Sequence, residues 1–129
     1  MLVSGCLLGL RCRYDGKIRR IPEIVQKLID SKNPLIPVCP EQLGGLPTPR
    51  PKNHLAWRDD KPEVINEEGT DVTLQFVRGA EETLSLARLF SVRRAILKSG
   101  SPSCGKEGVT TRLLEDNGIE VAITDAPRE

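Results

Sequence analysis

Aromatic side chains are nearly absent: Tyr14, Trp57, Phe76 and Phe90 are the only four in 129 residues. So few rings cannot line a stacking platform for single-stranded nucleic acid. A charge excess is also missing, with 19 Lys and Arg against 18 Asp and Glu and a net charge of +1. A phosphate-backbone binder carries a basic surplus, so nucleic acid is not the expected partner. No apolar run is long enough for a membrane span. The start, Met1 to Cys6, has neither a basic leader nor a long apolar core, so a cytoplasmic chain with reduced thiols is expected. His54 is the one histidine, which excludes a histidine-built metal site. The close cysteine pairs of zinc fingers and ribbons are lacking as well. What remains is four separated cysteines, Cys6, Cys12, Cys39 and Cys104.

A chain of this length buries a core as one domain, residues 1–129, without disulfide staples. Its apolar pattern alternates between short runs and helical periodicity. Leu2 and Val3 lead as a first strand to Cys6. Pro22 and Glu23 open a helix with an apolar stripe of Ile24, Val25, Leu28 and Ile29, stopped at Asn33-Pro34. Leu35 to Cys39 reads as a second strand, weakened by Pro37. From Pro40 to Gly69 the chain is rich in proline and glycine and reads as a long irregular loop. Asp71 caps a helix to about Phe90, with Leu74, Val77, Leu84 and Phe90 near one face. A third strand over Arg93–Lys98, a third helix from Gly108 to Asn117 stopped by Gly118, and a fourth strand over Ile119–Ile123 follow, with a solvated tail from Thr124. Strand–helix–strand alternation predicts an α/β fold: one three-layer domain around a mainly parallel four-stranded sheet, Rossmann-like or flavodoxin-like, with a long Pro/Gly-rich loop.

On that map Cys6, Cys39 and Cys104 each stand at the carboxyl end of a strand, where open α/β sheets build their sites. A single buried cysteine is commonly packing, but three at strand exits beside glycine or proline point to a joint role. Thiolates are soft ligands for zinc or iron–sulfur clusters. Spacing leaves three chemistries open. A closed zinc site would take Cys12 or His54 as fourth ligand, a cluster would be held by three thiolates, and a lone reactive Cys104 would sit before a helix amino end. Glu41, two residues after Cys39, is a candidate to move a proton. Ser101 and Ser103 offer hydroxyls, and Arg50 a cation for a carbonyl or anion. The basic run from Arg11 to Arg20 reads as a solvated face.

Several blocks occur in the order of a known family: Cys6-Leu7-Leu8-Gly9, Cys12-Arg13-Tyr14-Asp15-Gly16, Val38-Cys39-Pro40-Glu41, Gly44-Gly45-Leu46-Pro47-Thr48-Pro49-Arg50 and Ser101-Pro102-Ser103-Cys104-Gly105. Over nearly its whole length the chain resembles the thiouracil desulfidase family, long catalogued as a domain of unknown function. The resemblance implies a 4Fe–4S cluster held by three cysteines, with one iron free to take sulfur. It implies non-redox replacement of the thiocarbonyl sulfur of a thiolated pyrimidine by water, giving uracil and sulfide. It also makes Cys39 and Cys104 ligands, Glu41 the acid/base and Ser101 the active-site serine. The strand-exit argument favours Cys6 over Cys12 as third ligand. Arg50 and Ser103 are then expected at the substrate. The near-neutral charge points to a free base or nucleoside rather than transfer RNA. A module binding a cluster or zinc without turnover is the competing reading. One departure stands out: family members carry a longer glycine-rich segment before the last helix, whereas only Lys106 and Glu107 separate Gly105 from Gly108 here.

Overall fold

The computed structural model describes residues 1–125; the end of the expected solvated tail lies outside them. Four short strands, β1 (Leu2–Ser4), β2 (Ile36–Val38), β5 (Arg94–Lys98) and β6 (Glu120–Thr124), form a wholly parallel sheet in the order β2-β1-β5-β6. Helices cover both faces. On one, Val25 of α1 (Glu23–Asp30) packs with Val3, Leu7 and Ile96. On the other, Leu84 and Ala87 of α3 (Thr73–Leu89) and Leu114 of α4 (Val109–Asp116) pack on Leu2, Ala95 and Leu97. Neighbouring strand residues point to opposite faces, so Leu2 and Val3, or Ile96 and Leu97, feed different layers. The expected three-layer α/β fold is the observed one. Among the described residues no helix is long and apolar enough to cross a membrane.

The stretch from Pro40 to Gly69 is not an irregular loop. It contains the one-turn helix α2 (Pro40–Leu43) and an antiparallel hairpin, β3 (Asn53–Arg58) with β4 (Lys61–Asn66). Asn53, Leu55 and Trp57 are half-buried and alternate with exposed His54, Ala56 and Arg58, the period of a one-sided strand. Asp59 and Asp60 turn the hairpin at φ of 51° and 62°, the left-handed pair that a two-residue hairpin turn requires and that Asp tolerates. Beneath it, Val64 joins Val72, Phe76, Ala80 and Val109 in a second small core.

The helix faces also differ in part from expectation. α3 buries Phe76, Ala80, Thr83, Leu84 and Ala87, while Leu74 and Phe90 are exposed. Small residues face inward there because α2 crosses α3 backbone to backbone. An added Cβ at Gly79 would overlap the Pro40 carbonyl, and one at Gly44 would overlap that of Gln75. Two rigid backbones cannot part without moving α2. Gly79→Ala is therefore expected to lower stability by about 1–3 kcal/mol, the usual cost of overpacking, seen as a fall of several degrees in the thermal midpoint. An unchanged midpoint would show that α2 yields freely.

Candidate functional site

The parallel sheet reverses its winding between β1 and β5: one crossover runs to β2 on one side, the other to β6 on the opposite side. Open α/β sheets hold ligands at this switch point, beyond the carboxyl ends of the strands. Here the cavity is about 330 Å³, and all four cysteines line it together with Glu41, Arg50 and Ser101. Cys6 lies two residues past β1, in a 3-10 turn (Gly5–Leu8), rather than at the strand's last position. Cys39 is the N-cap of α2, directly after β2. Cys104 follows β5 in a turn closed by the Gly105 N–H on the Ser101 carbonyl (2.8 Å) and the Thr110 N–H on that of Ser103 (3.0 Å). Cys12 arrives from the loop after the 3-10 turn, its sulfur against Gly5, where a side chain would crowd it.

The thiols are not equivalent. The neighbouring Cys12 thiol is the main cause that holds Cys6 and Cys39 below the ordinary cysteine value; Lys98 adds to the effect at Cys6, and the Gln42 N–H and Arg50 add to it at Cys39, against burial and the Glu41 charge. Cys39 donates its own S–H to the Cys12 carbonyl at 3.7 Å. Cys12, set between the two and itself buried, is pushed far up. Cys104 is also raised, by burial first and then by the nearby Glu41. Cys6 and Cys39 are thus the two thiols that give up a proton most readily.

Glu41 occupies the first turn of α2, its side chain 12% exposed, and its Oε2 accepts from Arg50 at 2.9 Å. The guanidinium, 3% exposed, also donates to the carbonyls of Cys12 (3.0 Å) and Pro47 (3.3 Å) and to the Thr48 hydroxyl (3.1 Å). Arg50 therefore ties the Cys12 loop, α2 and the 47–50 loop together. Its Nε is buried without a partner, and a buried donor left unpaired calls for an explanation such as a ligand. Ser101 Oγ accepts from the N–H groups of Ser103 and Cys104, both at 3.1 Å. With both lone pairs engaged, its O–H proton is left to donate into the cavity.

Ser103 stands apart from the sequence expectation. It is 1% exposed, shares a 2.7 Å hydrogen bond with Thr110 and is not among the lining residues. His54 is at the rim, on β3. Tyr14, Lys52 and Lys98 are among the lining residues that sequence reasoning did not single out. Lys98 is the last residue of β5, so the strand-exit argument applied to the cysteines would have found it. Tyr14 is two residues from Cys12, and Lys52 lies over its ring at 5.5 Å.

A polynuclear cluster needs soft donors around a cavity rather than converging on one point. Among the described residues no group of three or more His, Cys, Asp and Glu side chains is gathered to hold a single ion. All four thiols instead line the one cavity. The donor set fits an iron–sulfur cluster.

Soft donors at a switch point, beside the Glu41–Arg50 pair, define an α/β protein whose cavity wall suits a thiophilic metal centre. Comparison with known proteins narrows this. The chain belongs to the 2-thiouracil desulfurase family, whose model matches residues 1–126. It is 34% identical over 142 residues to the uncharacterized protein YbbK of Bacillus subtilis (strain 168), covering 94% of this chain and 93% of the relative. That stretch exceeds the 129 residues here, so the relative carries inserted residues. The fold is similar to a solved structure of the [4Fe-4S]-dependent thiouracil desulfidase TudS, with a TM-score of 0.83, 39% identity, and 95% of this chain and 89% of that one covered.

Proposed function

We propose that this chain is an iron–sulfur-dependent, non-redox desulfidase that converts thiolated pyrimidines such as thiouracil to uracil and sulfide. The observation that carries the reading is one cavity in which four thiols meet a fixed carboxylate–guanidinium pair and a serine hydroxyl with a free proton. A carrier module needs the thiols but not the other three groups. Cys6, Cys39 and Cys104 would hold a 4Fe–4S cluster, leaving Cys12 beside them in the cavity wall. When bound, the cluster supplies a Lewis-acidic iron with affinity for sulfur.

The chain's own groups do the rest. Arg50 keeps Oε2 of Glu41 engaged, which leaves Oε1 to accept a proton from a water molecule. That water forms a C–O bond at the thiocarbonyl carbon as the C–S bond breaks, its electron pair leaving with sulfur. The carbon's oxidation state does not change, so no reductant or oxidant is used. Ser101 donates its free proton to the ring's polar edge and orients it. The balance is one water consumed and one hydrogen sulfide released.

Anaerobic reconstitution with iron and sulfide is expected to give a brown protein that converts 2-thiouracil to equal amounts of uracil and sulfide. A colourless protein that binds zinc stoichiometrically, or a brown one without turnover, would end the proposal.

A further inference from the structure

The β3–β4 hairpin forms one wall of the cavity, through His54 and Asn53 of β3 and the preceding Lys52. β4 is fixed to the start of α3: the Val72 N–H donates to the Val64 carbonyl at 2.8 Å, and the Val64 N–H to the Thr73 hydroxyl at 2.9 Å. β3 has a different anchor. Trp57 donates its indole N–H to the Glu107 carbonyl at 2.8 Å, and the Arg112 guanidinium lies over its ring at 4.0 Å. Arg112 also reaches Asp60 in the hairpin turn, at 3.4 Å. Glu107 lies three residues after Cys104, in the short connection that leads into α4. That connection is itself rigid, the Gly108 N–H donating to the Gly105 carbonyl and the Val109 N–H to that of Pro102.

One indole therefore links two walls. Trp57 and His54 lie three residues apart on one strand, about 10 Å at the rise of a β-strand, so a tilt at Trp57 carries directly to the cavity edge. We propose that Trp57 is a positioning residue for substrate: by latching the hairpin onto the Glu107 turn, it holds the Lys52–His54 edge in place over the cavity. The role for substrate rests on the desulfidase reading; the latch itself does not.

The two are separable by experiment on the reconstituted holoenzyme. Trp57→Ala is expected to raise the KM for 2-thiouracil roughly tenfold, as loss of a hydrogen bond and a cation–π contact implies. Its kcat and iron content should stay within about twofold of the parent, because neither Glu41 nor a thiol moves. Trp57→Phe keeps a ring under Arg112 but lacks the N–H, so its KM should fall between the two. Amide hydrogen exchange over residues 53–58 should quicken in both variants while that of β1 and β5 holds. Quickened exchange with unchanged KM would overturn the positioning role, and unchanged exchange would overturn the latch. If Trp57→Ala does not fold, Trp57→Phe decides alone, and a parental KM overturns the proposal. Should the parent holoenzyme turn over no thiouracil, the desulfidase reading and the role for substrate both fall. The exchange result still judges the latch.

Discussion

Glu41→Gln is expected to cut turnover of 2-thiouracil by at least about a hundredfold, the usual contribution of a positioned general base. Iron content and the visible absorbance of the cluster should remain those of the parent. Glutamine has the same shape and can still accept from Arg50 through its carbonyl oxygen, so the contact at Oε2 survives in neutral form. What is lost is the second oxygen as a proton acceptor. The cost to folding is moderated because the guanidinium keeps its bonds to the Cys12 and Pro47 carbonyls and the Thr48 hydroxyl. Removing one member of a buried ion pair is nonetheless destabilising, so a lower thermal midpoint should accompany the loss of rate. Retained turnover in a variant with a full cluster would refute the role given to Glu41.

Arg50 explains why Glu41 is suited to that role. A carboxylate on a four-residue helix beside a loop has little to hold it by itself. The guanidinium meets it from a segment that also grips the Tyr14 carbonyl through the Arg50 N–H at 2.7 Å. One side chain thereby fixes the base relative to the loop that brings Cys12. Arg50, expected at the substrate, lines the cavity and also supports Glu41, with its Nε left without a protein partner.

The sheet and the convergence of the cysteines were legible in the sequence. Each parallel strand is a short apolar run ending in turn-forming residues, and both signals are local. The hairpin was missed although its alternation of Leu55 and Trp57 with His54 and Arg58 is a strand pattern. Asp59-Asp60 is a weaker turn signal than Asn-Gly, and Pro62 within β4 argued against a strand. The inward face of α3 was misread because its packing partner is a helix backbone, which selects Gly79, Ala80 and Thr83 rather than large apolar residues. Ser101 and Ser103 could not be told apart by spacing. Only the fold reveals that one caps the turn with its hydroxyl at the cavity while the other turns toward Thr110.

Replacing the cysteines one at a time is expected to divide them three to one. Cys6→Ala, Cys39→Ala and Cys104→Ala should each lose most of the bound iron and the visible absorbance, and with them all turnover. Cys12→Ser should keep the parent's iron content. The reason lies in placement: Cys6, Cys39 and Cys104 each follow a strand of the parallel sheet, whereas Cys12 comes from the loop after the 3-10 turn. Serine keeps a small polar side chain there without a fourth thiol. Cys104 is buried and neutral and must give up its proton on binding. Loading should therefore weaken as pH falls and release a proton as it proceeds, measurable as a pH-dependent iron affinity in the parent that steepens on the acid side. If Cys12→Ser loses the iron and Cys6→Ala keeps it, the ligand set is Cys12, Cys39 and Cys104, and the preference for the strand exit at Cys6 is wrong.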